Sequence, residues 1–377
     1  MKIAILGTRG IPNNYGGFEQ FAEHISIGLV QKGHEVTVYN PHFHPYNMPE
    51  FKGVNIITIK SPEQKLGSAG NFIYDFRCLK DARYRAFDII YEAGYATCCP
   101  FFYLLKSTDS MLITNMDGLE WKRSKWNFFT KRLMKYLEAL AVKRSHYIVS
   151  DNRGIQDYYR SNFNKDSFLI SYGADLNLTH SENDLLDFKI SAENFFLLIA
   201  RMEPENNIDV ILQAYKKSGR TEPFLVIGNY KTKYGKYLYK KHNNNQVRFL
   251  GSIYNKKILD SLRYYCKAYL HGHSVGGTNP SLLEAMASSC FIIAHKNSFN
   301  GSVLKESGVY FDSIETLKNI FTSIDTAILN YKTKFIQENL SEINKNYNWQ
   351  LIIDMHEKVF KDILAQKNKS ACIGSPV

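Results

Sequence analysis

Lys2-Ile-Ala-Ile-Leu6-Gly7-Thr-Arg-Gly10-Ile-Pro-Asn-Asn-Tyr-Gly16-Gly17-Phe-Glu19 opens the chain. An apolar run, Ile3 to Leu6, gives way to a glycine-rich turn, and beyond it Phe18, Phe21, Ala22, Ile25 and Leu29 recur at helical spacing. Gly33 stands where a left-handed cap stops a helix, and a second apolar run, Glu35 to Tyr39, follows at once. Strand, turn, helix and strand in that order predict a βαβ unit, because a parallel neighbour can be reached only by a crossover.

The rhythm continues through Val54 to Ile59, Asp88 to Tyr91, Met111 to Thr114, Tyr147 to Ser150 and Phe168 to Ser171. Leu176 to Glu193 is polar and rich in Asn, Asp and Ser, as a linker would be. The pattern then restarts with Phe195 to Ala200, Phe224 to Ile227, Val247 to Leu250, Ala268 to Leu270 and Phe291 to Ala294. We therefore expect an α/β chain of two Rossmann-like doubly wound domains, residues 1–178 and 190–346, facing a cleft. From Ile314 the pattern is helical, and residues 347–366, with Trp349 to Leu364 at their centre, are expected to cross back onto the first domain. Residues from Gln366 onward are expected to fray.

At 377 residues and 44% hydrophobic content the chain can bury two cores. A formal net charge of +11 points to an anionic partner: a nucleic acid, an anionic membrane surface or a phosphorylated substrate. No apolar run approaches the roughly 18 residues that span a bilayer, and the N-terminus opens straight into a strand, which predicts a cytoplasmic protein. The cysteines, Cys78, Cys98, Cys99, Cys266, Cys290 and Cys372, form no Cys-x-x-Cys pair, so neither a zinc site nor a disulfide framework is expected.

Three stretches carry chemistry. The first loop can turn main-chain N–H groups toward a phosphate, because its glycines leave no side chain in the way; a merely flexible connector would be glycine-rich as well, and the loop's position after the first strand tips it toward ligand binding. A nicotinamide site would want a different glycine spacing and an acid after the second strand, where Tyr39-Asn40 stands. Tyr237 and Lys241 reproduce a Tyr-x-x-x-Lys spacing, but in a polar stretch that suits a chance match. In the second domain, Arg201 ends an apolar strand ahead of Met-Glu203-Pro204-Glu205-Asn206, where a guanidinium can hold a diphosphate bidentately; alone it would read as a surface ion pair. Further on, His271-Gly-His273-Ser-Val-Gly276-Gly277-Thr278-Asn279-Pro280-Ser281-Leu-Leu-Glu284 ends a strand in a glycine-rich turn and starts a helix with a carboxylate one turn inside. The turn offers N–H donors to a phosphate, and Glu284 can accept from a ribose diol.

Together, Arg201-x-Glu-Pro-Glu and Gly276-Gly277-Thr-Asn-Pro-Ser-Leu-Leu-Glu284 resemble the donor site of family-4 retaining GT-B glycosyltransferases. The first loop and Asn115-Met-Asp117-Gly118-Leu-Glu120-Trp-Lys-Arg resemble the bacterial rhamnosyltransferase-like branch. The resemblance implies that Arg201 binds the donor diphosphate, Glu284 the ribose, and Gly277, Thr278 and Asn279 the phosphate or sugar through backbone groups. It implies that Gly16 and Gly17 close over the phosphates and that Asp117 sits near the reacting sugar, with Asp117, Arg201 and Glu284 as the catalytic set. Two positions depart from it. Asn206 stands where many relatives carry Lys, and Gly276 stands where the broad family places a glutamate, eight positions before Glu284.

Trp121-Lys122-Arg123-Ser-Lys125-Trp126-Asn-Phe-Phe-Thr-Lys131-Arg132 interleaves rings with cations, as a helix lying on headgroups would; an ordinary solvated basic helix gives the same pattern. Glu19, Trp121, Lys122, Arg123, Lys125 and Trp126 are therefore expected on the acceptor or membrane side. No nucleic-acid-binding pattern accompanies them. The resemblance implies a nucleotide-sugar co-substrate with no other cofactor, dTDP-rhamnose above all, and a lipid-linked saccharide acceptor at the inner face of the membrane, in capsule or O-antigen synthesis. No Asp-x-Asp at a strand end offers to hold a metal, so metal-independent, retaining transfer is expected. Donors such as UDP-glucose, UDP-galactose or a GDP-sugar, a GT-B sugar-nucleotide epimerase and a non-catalytic anion-binding protein remain the rival readings.

Overall fold

Fourteen strands, β1 to β14, make two separate sheets in the computed structural model, which describes residues 1–116, 118–123, 126–176 and 179–373. In the first sheet β1 (Lys2–Leu6), β2 (Glu35–Pro41), β3 (Glu50–Phe51), β4 (Val54–Ile59), β5 (Ile89–Glu92), β6 (Met111–Asn115), β7 (Tyr147–Ser150) and β8 (Phe168–Leu169) run in the order 3-4-2-1-5-6-7-8. In the second, β9 (Phe196–Ile199), β10 (Phe224–Ile227), β11 (Val247–Gly251), β12 (Ala268–His271), β13 (Ile292–His295) and β14 (Val309–Phe311) run 11-10-9-12-13-14. Every pairing is parallel except β3 with β4.

The continuous apolar runs follow from this. A parallel strand covered by helices on both faces has no solvated side, and Ile3, Ala4, Ile5 and Leu6 are all buried. Register is set in the same strand, with Ile3 opposite Ile89 and Leu6 opposite Glu92. The helix α1 (Gly17–Gln31) lays Phe21, Ala22, Ile25 and Leu29 on the sheet, and Gly33, at φ +83°, ends the turn as its position predicts. The second core centres on Phe196, Tyr215, Phe224 and Phe321, with Phe196 edge-on to Phe321 at 5.2 Å.

The chain divides into two compact units. The first holds Met1–Lys122, Trp126–Tyr172 and the chain from Trp349 onward; the second holds Arg123 and Gly173–Asn348. Two strands escape the sequence pattern: β3 is two residues long, and β14 is a three-residue edge strand. The polar stretch after Leu176 is not featureless, since Glu182–Phe188 form a 3-10 helix that buries Leu185. The fraying expected from Gln366 does not occur as far as Ile373, and residues 374–377 lie outside the described residues. The last helix runs Trp349–Ile373; near its end Tyr147 Oη donates to Gln366 and Lys367 donates to the carbonyl of Asp109.

Candidate active site

In each sheet the chain first winds to one side and then returns to the other, which opens a crevice at the carboxyl ends of the two strands where direction reverses. In the second unit these are β9 and β12, and the loops that leave them carry the motifs. After β9 come Ala200 to Asn207 and then α2 (Ile208–Ser218); after β12 come Gly272 to Asn279 and then α3 (Pro280–Ala287).

The two loops are bolted together. A Cβ on Gly272 would lie 2.0 Å from the carbonyl oxygen of Asn206, so only glycine permits the approach. Asn207 Nδ2 donates to Gly272 O at 2.8 Å, and the amide and hydroxyl of Ser274 both donate to Glu205 O, at 3.0 and 2.8 Å. Asn297 and Asn300 each donate a side-chain N–H to His273 O, at 3.0 and 2.9 Å. Asn206 is buried; its Nδ2 donates to Arg201 O at 2.7 Å and its Oδ1 faces His273 Nδ1 at 2.9 Å. The residue that stands in place of a lysine is thus a brace between the loops.

Arg201 is exposed, and its guanidinium has no partner among the described residues. The main-chain N–H groups of Val275, Gly276 and Gly277 likewise meet no main-chain acceptor among them. Thr278 is buried, and Asn279 caps α3 by accepting from Ser281 N at 2.9 Å, so its own side chain is committed. Ser281 Oγ donates back to Ile199 O at 3.3 Å, tying the start of α3 to the strand that leads into Arg201. An open guanidinium and a row of open amides on one pair of adjacent strand ends suit an anionic ligand. Glu284 lies one turn inside α3, where Arg263, itself buried, holds its Oε2 and also reaches Asp260 Oδ1 at 3.3 Å. Burial pushes His271 down to about 3, and burial with His271, Arg123 and Arg201 alongside holds His273 well below the usual histidine range, so both rings are neutral at pH 7.

In the first unit β1 and β5 form the reversal. The loop from Gly7 to Gly16 is held by Asn40, whose Oδ1 accepts from Ile11 N at 3.0 Å and whose Nδ2 donates to Ile11 O at 2.8 Å. The position where a dinucleotide site needs an acid therefore serves the loop's own backbone. Gly16 is the extended residue before α1 and Gly17 its first residue. Glu19 is buried and accepts from Arg9 N at 2.8 Å, while Arg9 pairs with Glu63 and covers the Tyr15 ring at 4.0 Å. Glu19 therefore braces the loop from inside. Beside it lies a cavity of about 130 Å³ lined by Gly7, Phe18, Asp75, Thr97, Cys98 and Glu120 among others. Thr97 Oγ1 donates to Asp75 Oδ2 at 2.5 Å, and burial raises Asp75 to about 7. Glu92, at the end of β5, is also buried and raised, and neither of its oxygens has a hydrogen-bond partner among the described residues. The motif reading overlooked both acids; a carboxylate closing an apolar strand was the available sign for Glu92, and Asp75 left none.

Asp117 and Lys125 lie outside the described residues. Trp121 carries Lys122 and Lys135 over its ring at 5.5 and 5.1 Å, and Trp126 is half-buried. Arg123 groups with the second unit, 3.9 Å from Glu205. The helix Phe128–Arg144 buries Leu137, Ala141 and Val142 but exposes Phe128, Phe129, Leu133 and Tyr136 beside Arg132 and Lys135. Lys241 does donate to Tyr237 Oη at 2.9 Å, but on an exposed helix where Lys241 also pairs with Asp209.

Two parallel sheets of this topology are the architecture of GT-B glycosyltransferases. Sucrose-phosphate synthase from Thermosynechococcus elongatus superposes with a TM-score of 0.81 at 14% identity, over 97% of this chain and 99% of that one. HepE from Anabaena, solved in complex with UDP-glucose, gives 0.74 at 13%, over 97% and 99%. Trehalose 6-phosphate synthase from Burkholderia multivorans gives 0.73 at 10%, over 100% and 99%. None of the curated proteins matches the chain. Residues 1–175 match a domain of unknown function (DUF1972), and residues 186–346 match the family glycosyl transferases group 1. Residues 186–346 thus carry the group 1 glycosyl transferase model, in a chain whose two sheets have the GT-B fold.

Proposed function

We propose that the chain moves a hexosyl group, L-rhamnose from dTDP-rhamnose, onto a lipid-linked saccharide in cell-surface polysaccharide assembly, with retention and without a metal. The observation that carries the donor half is the Arg201 guanidinium, without a partner among the described residues, on the strand end next to the one whose turn leaves the amides of Val275, Gly276 and Gly277 without main-chain acceptors among those residues. As the sugar–phosphate bond breaks, negative charge grows on the leaving diphosphate. A guanidinium and a helix start already in position stabilise that charge without reorganising. Glu284, held by Arg263 one turn inside α3, is the carboxylate we assign to the ribose. The acceptor half rests on the +11 charge and the exposed rings and cations of Phe128–Arg144, which suit an anionic lipid surface at the inner face of the membrane. A second donor, UDP-glucose, is favoured by its presence in the HepE complex.

The test is release of nucleoside diphosphate from dTDP-rhamnose and from UDP-glucose, with and without a lipid-linked saccharide extract. Arg201→Ala should lower acceptor-dependent release at least 100-fold, of the order found when a hydrogen-bond donor to the transition state is removed, and Glu284→Ala, which loses a charged ribose contact, should lower it at least about 10-fold. Full activity in either variant would overturn the assignment. Conversion of the sugar nucleotide with no acceptor present would instead mark an epimerase.

A further inference from the structure

His273 has an open ring nitrogen whose protonation the structure fixes. Asn206 Nδ2 donates to Arg201 O, which leaves Asn206 Oδ1 as the atom facing His273 Nδ1 at 2.9 Å. An amide oxygen only accepts, so the proton of the neutral ring sits on Nδ1 and Nε2 is a bare acceptor. Nε2 has no partner among the described residues, and it points at Gly276: a Cβ built there would lie 2.9 Å from it. The ring therefore fills the space that a side chain at 276 would take, the position where the resemblance places a glutamate. The ring is held by its own bond to Asn206, on a backbone that Asn297 and Asn300 pin at the His273 carbonyl and Ser274 pins at Glu205.

A bare acceptor on this turn selects its ligand by chemistry. A phosphate oxygen carries no proton at neutral pH and cannot bond to it; a sugar hydroxyl can. We propose that His273 Nε2 accepts a hydrogen bond from a ring hydroxyl of the donor sugar and so sets donor-sugar specificity, an uncharged substitute for the carboxylate absent at 276. This rests on the donor-site reading of the second unit.

The experiment is calorimetric titration of the wild type, His273→Ala and His273→Gln with dTDP, dTDP-rhamnose, UDP and UDP-glucose, using the nucleotide that binds the wild type more tightly. His273→Ala should weaken the nucleotide sugar about 10-fold while leaving the bare nucleotide within 2-fold, and His273→Gln, whose amide oxygen can accept, should recover part of the loss. Deoxy analogues of the same sugar should include one that the wild type binds about 10-fold more weakly than the parent and His273→Ala binds equally well. Unchanged affinity for the sugar nucleotide in His273→Ala would overturn the inference while the donor site stands. An equal loss for nucleotide and nucleotide sugar would overturn it too, by making the ring a phosphate ligand. Failure of the wild type to bind any of the four would remove the donor-site reading and the inference with it.

Discussion

Arg263 is 3% exposed and yet bonds to two carboxylates, Asp260 and Glu284, so its charge is matched where water does not reach. Removing a buried partner leaves the others charged and unpaid, at a typical cost of about 3–5 kcal/mol. Because Glu284 is partly open to solvent, the lower end applies. Arg263→Leu should lose roughly 3 kcal/mol in urea denaturation and should also free Glu284 from the geometry it needs. A loss below about 1 kcal/mol would show that the site does not depend on this pair. At this scale the sequence speaks unevenly. The glycine-rich turn, Arg201 and Glu284 are legible because residue types at strand ends and helix starts have few other uses. Arg263 and Asn206 are not, since a helical arginine reads as a surface charge and an asparagine in place of a lysine reads as a loss. What each does depends on a loop distant in sequence.

Helix packing depends on similar close fits between distant segments. The last helix, Trp349–Ile373, buries Ile352, Ile353, Phe360 and Ile363 with the first unit, stacks Trp349 on His24 at 4.2 Å and joins Glu357 to His34 at 2.8 Å and to Lys32 at 3.2 Å. Gly28 of α1 makes the approach possible, since a Cβ there would meet Ile353 Cδ1 at 2.3 Å, Cγ1 at 2.7 Å and Cγ2 at 2.9 Å. No single rotamer change clears all three atoms. Gly28→Ala gains about 1 kcal/mol of helix propensity against an overpacking cost of about 1–3 kcal/mol. The variant should therefore be less stable by roughly 1 kcal/mol, and Ile353→Ala should cost less in that background than alone. Additive losses in urea denaturation would mean the two helices do not meet as described. The βαβ elements are legible because a parallel strand must be apolar on both faces. A two-residue strand and the final turns of a helix held by Tyr147 and Asp109 have no such pattern to betray them.

Over the whole molecule, the two-domain class follows from the repeated rhythm, whereas donor and acceptor do not, because both are read by a few polar atoms that folding brings together. Net charge has its own consequence: with +11 and exposed Phe128 and Phe129, the protein should co-sediment with anionic vesicles, and less at 300 mM than at 50 mM salt, where the Debye length is shorter by about 2.4-fold. Phe128→Ser with Phe129→Ser should release it further, and binding insensitive to those changes would refute the lipid role of that helix. The buried acids give the molecule an opposite pH signature. Burial raises Asp75 from 3.8 to about 7, so below pH 4 it is protonated in both folded and unfolded chains and costs nothing. As pH rises toward 7 the unfolded carboxyl ionises while the folded one keeps its proton, and stability falls before levelling off. Glu222, Asp325 and Glu357, each held down at about 2 by hydrogen bonds to basic partners despite some opposing burial, act in a separate window and withdraw stability as pH drops from 4.5 toward 2. Asp75→Asn keeps an oxygen for Thr97 and carries no titration. Its stability relative to the wild type should therefore climb between pH 4.5 and pH 8 in denaturant titrations, and parallel curves for the two proteins would mean that Asp75 is ionised in the folded state throughout.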